Sequence, residues 1–230
     1  MLKAVCFDFD GVIVDTEPLH FQAFNNVLEP RGLGFDWPTY ISGFIGFDDR
    51  DAFREAFRQA GQPLDEPTLS TMIRAKAQAF QDIIATTDVK SYPGVAELIN
   101  ALSGAVPVGL CSGALRSDID PILSRMNLLA AFDVIITADQ VQQSKPAPES
   151  YVKTMHHLQQ LFPAMENQAG WSLAIEDTPT GIQSARGAGL SVLAVANSYP
   201  PAQLTDADWT IQTLAGLTLQ KLQDKAFREI

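Results

Sequence analysis

Val5-Cys6-Phe7-Asp8-Phe9-Asp10-Gly11-Val12 runs an apolar, strand-like segment straight into two carboxylates two residues apart and then a glycine. If the strand continues, alternation places Asp8 and Asp10 on one side, and a turn at Gly11 leaves both at its carboxyl end. Like charges this close repel, so the pair asks for a bound cation or for one raised pKa. An isolated DxDG is equally an ordinary strand followed by an Asp-Gly turn. Three further stretches, around Ser112, Lys145 and Glu176-Asp177, decide between the two readings.

Past Gly11 the pattern is helical. Asp15 or Thr16 caps a helix with Pro18 in its first turn, Leu19, Ala23, Phe24, Val27 and Leu28 form its apolar face, and Gly32 stops it. A second helix carries Ala52, Phe53, Ala56 and Phe57, and a third carries Leu69, Met72, Ile73, Phe80 and Ile83 at helical spacing. From Asp15 to about Lys90 no strand pattern occurs. From Tyr92 onward helices alternate with short apolar strands at Val106–Cys111, Val134–Thr137, Leu173–Ile175, Val192–Val195 and Trp209–Ile211. Alternating βα units imply a parallel sheet covered on both faces. The expected fold is therefore α/β: a doubly wound core from 1–14 and 92–230, with an all-helical insertion over 15–91.

Composition excludes several function classes. Sixteen basic against 27 acidic side chains give a net charge of −11, which repels nucleic acid and anionic lipid. Small phosphates remain compatible, because a local metal and a few cations prevail at contact range. The apolar run before Asp8 is too short for a secretory signal and no later run reaches spanning length, so a cytoplasmic location is expected. Cys6 and Cys111 lie in apolar strand-like runs without a CxxC partner and read as two buried thiols. His156 and His157 are neighbours on an amphipathic helix and cannot share a face.

In an open parallel sheet, ligands bind beyond the carboxyl ends of the strands. The residues there form a coherent set: Asp8 and Asp10, then Ser112-Gly113, then Ser144-Lys145-Pro146, then Glu176-Asp177-Thr178. Four carboxylates, a hydroxyl and an ammonium at one rim describe a metal-assisted phosphate site. A hard Mg²⁺ takes one or two carboxylates, a carbonyl and waters. Asp8, Asp177 and a carbonyl of the Asp8–Asp10 loop suit it, with Glu176 acting through water. Ser112, the Gly113 N–H and Lys145 would hold the phosphoryl oxygens.

Asp8-Phe9-Asp10-Gly11-Val12, Ser112, Lys145-Pro146 and Glu176-Asp177 resemble the four ordered motifs of the haloacid dehalogenase superfamily. Val12-Ile13-Val14-Asp15-Thr16-Glu17-Pro18-Leu19-His20 is similar to its β-phosphoglucomutase-like branch. The resemblance spans nearly the whole chain. It implies a Rossmann-like core with a helical cap, Mg²⁺ held by the acidic set Asp8, Asp10, Glu176 and Asp177, Asp8 as the nucleophile that forms an aspartyl-phosphate, and Asp10 as general acid and base. An acid at Asp10 disfavours the dehalogenases and the phosphonoacetaldehyde-cleaving branch, which lack one there.

What remains open is phosphatase against phosphosugar mutase. His20 matches a cap-hinge position of the mutase branch, and Lys76 resembles a cap lysine that reaches the active site. Where the mutase places a serine and a phosphate-gripping arginine, this chain has Asp48-Asp49, with Arg50 displaced by one. Acids there are expected to repel a second dianion, which favours hydrolysis of a small phosphomonoester, a sugar phosphate above all, by a monomeric enzyme. Arg50 and Arg116 are candidate contacts to the leaving group. A non-enzymatic domain that kept the fold and lost turnover is the reading from another class, and the intact Asp8, Asp10 and Lys145 argue against it.

Overall fold

The computed structural model describes residues 1–45, 47–165 and 171–225. The chain divides into two compact units, Met1–Asp15 with Lys90–Ile230, and Thr16–Val89.

The first unit opens with β1 (Leu2–Phe7), whose six residues are almost wholly buried. The second unit follows as α1 (Glu17–Leu28), α2 (Trp37–Gly43), α3 (Asp49–Gln59) and α4 (Glu66–Thr86). An aspartate caps each of the last three: Asp36 accepts the Thr39 N–H at 2.9 Å, Asp48 that of Asp51 at 2.8 Å, and Asp65 that of Thr68 at 2.8 Å. α1 packs on α4, and the two helices bury Ala23, Phe24, Val27 and Leu28 on one and Leu69, Met72, Phe80 and Ile84 on the other. The sequence pattern missed α2, because Pro38 and Gly43 interrupt it and only Tyr40 of its seven residues is buried.

The first unit resumes with α5 (Val95–Leu102), β2 (Val108–Cys111), α6 (Arg116–Arg125), β3 (Val134–Ile136), α7 (Glu149–Leu161), β4 (Trp171–Glu176), α8 (Pro179–Gly187), β5 (Ser191–Val195), β6 (Trp209–Ile211) and α9 (Leu219–Asp224). All strand pairs are parallel, in the order β3-β2-β1-β4-β5-β6. This is the Rossmann-like α/β sheet interrupted after its first strand by an all-helical unit. Strand order reverses at β1, so β1 and β4 carry the crevice of a doubly wound fold at their carboxyl ends. β2 starts two residues later than the apolar run because Pro107 has no N–H, although its carbonyl still accepts from Val5 at 3.0 Å. Cys6 and Cys111 are buried free thiols, as expected. Among the described residues no helix is long and apolar enough to cross a membrane.

β1 stops at Phe7 rather than running on to Asp10. The Asp8 N–H continues the ladder to the Ile175 carbonyl at 3.0 Å, after which the N–H groups of Val12, Ile13 and Val14 all converge on the Phe9 carbonyl. The Asp15 N–H then donates to Lys90 O at 3.0 Å and the Tyr92 N–H to Ile13 O at 3.1 Å, so the two chain crossings at the base of the insertion are laced together. Val14 and Ser91 form an antiparallel bridge at the same point.

Candidate active site

Asp8 leaves β1 on its last ladder bond, and Glu176 is the last residue of β4, one position past Ile175, the partner of Phe7. Their neighbour Asp177 completes a buried trio with ligand-capable oxygens all within 4.8 Å of one another. Gly11 permits this approach in two ways. Its φ of +77° is in the left-handed region, and a Cβ there would lie 1.8 Å from Asp177 Oδ2. Asp10 sits in the tight turn rather than on a strand face, and its carboxylate is close enough to help raise the pKa of Asp8.

Lys145 bridges two of the three. Its Nζ lies 2.8 Å from Asp8 Oδ1 and 2.6 Å from Glu176 Oε1. The loop that delivers it is tied down on both sides. Glu149 accepts the N–H groups of Gln142 and Gln143, and the Ser184 hydroxyl donates to Ala147 O at 2.7 Å. Burial opposes the lysine's charge, but Asp8 and Glu176 prevail and hold its pKa above the ordinary value. The same contest goes the other way for Asp8: burial first, then Glu176, push it up to about 8 despite Lys145. One ammonium does not neutralise this set of carboxylates.

Glu176 is fully buried. Its Oε1 accepts both Lys145 and the Tyr151 hydroxyl, the latter at 2.6 Å, whereas its Oε2 has no hydrogen-bond partner. A carboxylate oxygen left bare in the interior is costly. A hard cation or its water would give that oxygen a partner and offset the excess negative charge, so the donor set fits Mg²⁺. The fitting trio is Asp8, Glu176 and Asp177; the Asp10 carboxylate is outside it.

Ser112 is buried at the end of β2, with its Oγ accepting the Ala114 N–H at 3.0 Å, and Gly113 is exposed beside it. Arg116 pairs instead with Asp120 one turn along its own helix at 2.7 Å, and its guanidinium also reaches the Ile135 carbonyl. Two residues that sequence reasoning missed serve this rim. The Ser198 hydroxyl donates to Asp177 Oδ2, and the Asn197 side chain donates to Gly11 O at 2.7 Å. Both follow β5, and extending the rim argument by one strand would have found them.

The helical unit holds the remaining candidates. Lys76 is 1 % exposed, with Nζ 2.7 Å from Asp49 Oδ1 and 2.8 Å from His20 Nδ1. The His20 ring stacks on Phe80 at 4.3 Å between centroids. Arg50 is exposed in the first turn of α3. The expected repulsion from Asp48 and Asp49 needs correction. Asp49 pairs with Lys76, which balances its charge, and the Asp48 carboxylate is engaged as the cap of α3.

Fold and site define a class: a Rossmann-like α/β protein with a lysine-bridged acidic rim at its strand-order reversal and a helical unit after its first strand. The chain belongs to the haloacid dehalogenase-like hydrolase family, whose model matches residues 5–195. Protein CbbY of Rhodobacter capsulatus is 31 % identical over 230 residues, covering 97 % of this chain and 98 % of that one. Fructose-1-phosphate phosphatase YqaB of Escherichia coli is 29 % identical over 191 residues, covering 82 % and 94 %. A β-phosphoglucomutase structure from Clostridium difficile shares the fold, with a TM-score of 0.83 at 23 % identity, covering 98 % of this chain and 97 % of that one.

Proposed function

We propose that the protein is a Mg²⁺-dependent phosphomonoesterase that hydrolyses a small phosphorylated metabolite, a sugar phosphate above all, through an aspartyl-phosphate on Asp8. The observation that carries this reading is the under-neutralised buried cluster of Asp8, Glu176 and Asp177 beside the one ammonium of Lys145, with one Glu176 oxygen bare. The E. coli relative named as a fructose-1-phosphate phosphatase supports the substrate class.

Mg²⁺ held by Asp8 and Asp177, and reached by Glu176 through water, would supply charge to offset the repulsion between Asp8 and the phosphate. The rest of the chemistry belongs to side chains. An Asp8 carboxylate oxygen forms a bond to phosphorus as the ester oxygen leaves, and Asp10 gives that alkoxide its proton. Asp10 then takes a proton from water, whose oxygen attacks the phosphorus of the acyl phosphate, releasing inorganic phosphate and restoring the Asp8 carboxylate. Lys145, the Ser112 hydroxyl and the Gly113 N–H hold the phosphoryl oxygens in position. The family resemblance assigns the helical unit the role of a cap over the leaving group, which makes His20, Lys76 and Arg50 candidate contacts from that unit and Arg116 one from the core.

The test is a phosphomonoester screen with Mg²⁺ and with excess chelator, run beside an assay for conversion of β-glucose 1-phosphate to glucose 6-phosphate primed by glucose 1,6-bisphosphate. Metal-dependent phosphate release from sugar phosphates is expected. Isomerisation without phosphate release would establish a mutase instead, and undiminished turnover in chelator would remove the metal from the scheme.

A further inference from the structure

Tyr151 has no part in the chemistry above, yet it touches the site's most constrained carboxylate. It lies on α7, is 0 % exposed, and is among the largest fully buried side chains of the protein. Its hydroxyl donates to Glu176 Oε1 at 2.6 Å, the same oxygen that takes Lys145 Nζ at 2.6 Å, and the Lys145 ammonium stands 5.3 Å from the centre of its ring. Phenylalanine would fill the same space without a polar atom, and a buried hydroxyl is costly unless it is bonded. The packing therefore leaves the hydroxyl one evident purpose, its bond to Glu176.

Two donors on Oε1 fix the carboxylate's orientation and with it the direction of Oε2. That oxygen has no partner and faces Gly181, where a Cβ would lie 1.9 Å from it. Without the phenol, Lys145 alone would serve Glu176 Oε1 and would be drawn toward it at the expense of Asp8, with which it also pairs. We propose that Tyr151 is a positioning residue for the metal site: by sharing Glu176 Oε1 with Lys145, it fixes the Glu176 carboxylate beside Asp8 and Asp177 and leaves Lys145 on Asp8. This inference rests on the metal-dependent reading above.

The test is calorimetric titration of MgCl₂ into the full chain, free of substrate, for the wild type, Tyr151→Phe, Glu176→Gln and the double variant. Groups that orient metal ligands typically contribute 10- to 100-fold in affinity, so Tyr151→Phe should raise the Mg²⁺ Kd about 10-fold. With p-nitrophenyl phosphate, its kcat should fall at low metal and recover at high metal, while KM at saturating metal stays within about twofold. Because the hydroxyl acts through Glu176, the double variant should bind no more weakly than Glu176→Gln alone. A wild-type experiment needs no variant to fold: the ¹³Cζ resonance of Tyr151 should move when Mg²⁺ is added. A Tyr151→Phe protein that binds Mg²⁺ within twofold of wild type, fully multiplicative losses in the double variant, or an unmoved Tyr151 resonance would overturn the proposal. A wild type that binds no Mg²⁺ would overturn the functional reading itself.

Discussion

Each unit sets a lysine against carboxylates, Lys76 fully buried and Lys145 largely enclosed, and the surroundings of the two differ in charge balance. In the helical unit Lys76 meets one carboxylate, Asp49, and the imidazole of His20, with aromatic rings of Phe24 and Phe80 about 5 Å from its ammonium (4.9 and 5.2 Å). At the sheet rim Lys145 meets Asp8 and Glu176, with Asp177 close by, and a Glu176 oxygen is still bare. The first arrangement is a closed account of charge and the second is open. Buried polar groups in excess of their internal partners mark a place that a ligand completes; a lysine whose charge is matched locally needs none.

The comparison breaks most severely at Asp8. Asp8→Asn should lower phosphatase turnover by at least roughly 10⁴-fold, as loss of a nucleophile does elsewhere, and should abolish any acid-stable phosphoryl-enzyme trapped after rapid quench. Near wild-type turnover would mean direct attack by water or another nucleophile.

Asp10→Asn should keep the nucleophile and slow turnover by roughly 10²- to 10⁴-fold, the usual worth of a general acid. The deficit should shrink with p-nitrophenyl phosphate, whose leaving group needs little protonation. Equal deficits across leaving groups would assign Asp10 to positioning rather than to proton transfer.

Lys76→Met tests the closed side. Removing the buried lysine strands a partly buried carboxylate, at a cost of about 2 kcal/mol, below that of a fully buried pair, read as a lowered urea midpoint with m unchanged. Lys76→Met with Asp49→Asn should regain much of that loss. A stable Lys76→Met protein with greatly reduced turnover would instead assign Lys76 to the leaving group, the contact for which it is a candidate above.

The smallest effect concerns the loop that carries Lys145. The Lys153 ammonium, followed by the Gln142 and Gln143 N–H groups, holds the Glu149 carboxyl down at about 2 from an ordinary 4.5. A group depressed in the folded state adds stability above its unfolded pKa and loses it as pH falls through the folded one. The Tm difference between wild type and Glu149→Gln should therefore be small, present above about pH 4.5 and gone near pH 2. A difference that persists at pH 2 would assign the effect to packing.

Most of the core was legible in the sequence because buried parallel strands are short apolar runs, and because each rim residue follows one directly. Asp8, Ser112 and Glu176-Asp177 fall where that rule puts them. What escaped was partnership across the chain. Asp48 and Asp49 display their charge in the sequence but not the helix N–H or the lysine that uses it. Tyr151 is indistinguishable from an ordinary buried position of an amphipathic helix until Glu176 is folded against it. α2 escaped because a seven-residue helix with a single buried side chain leaves almost no periodic trace.

The lacing of Asp15 to Lys90 and of Ile13 to Tyr92 has a consequence for how such a protein can change. Seen from the sheet, the whole helical unit is a long excursion whose two ends are held together by backbone bonds made within the core. These bonds are made by residues of the core itself, so they do not depend on what the excursion contains. A lineage could lengthen, trim or trade the excursion wholesale while Asp8, Lys145, Glu176 and Asp177 stayed where they are, with the helical unit free to diversify and the sheet fixed.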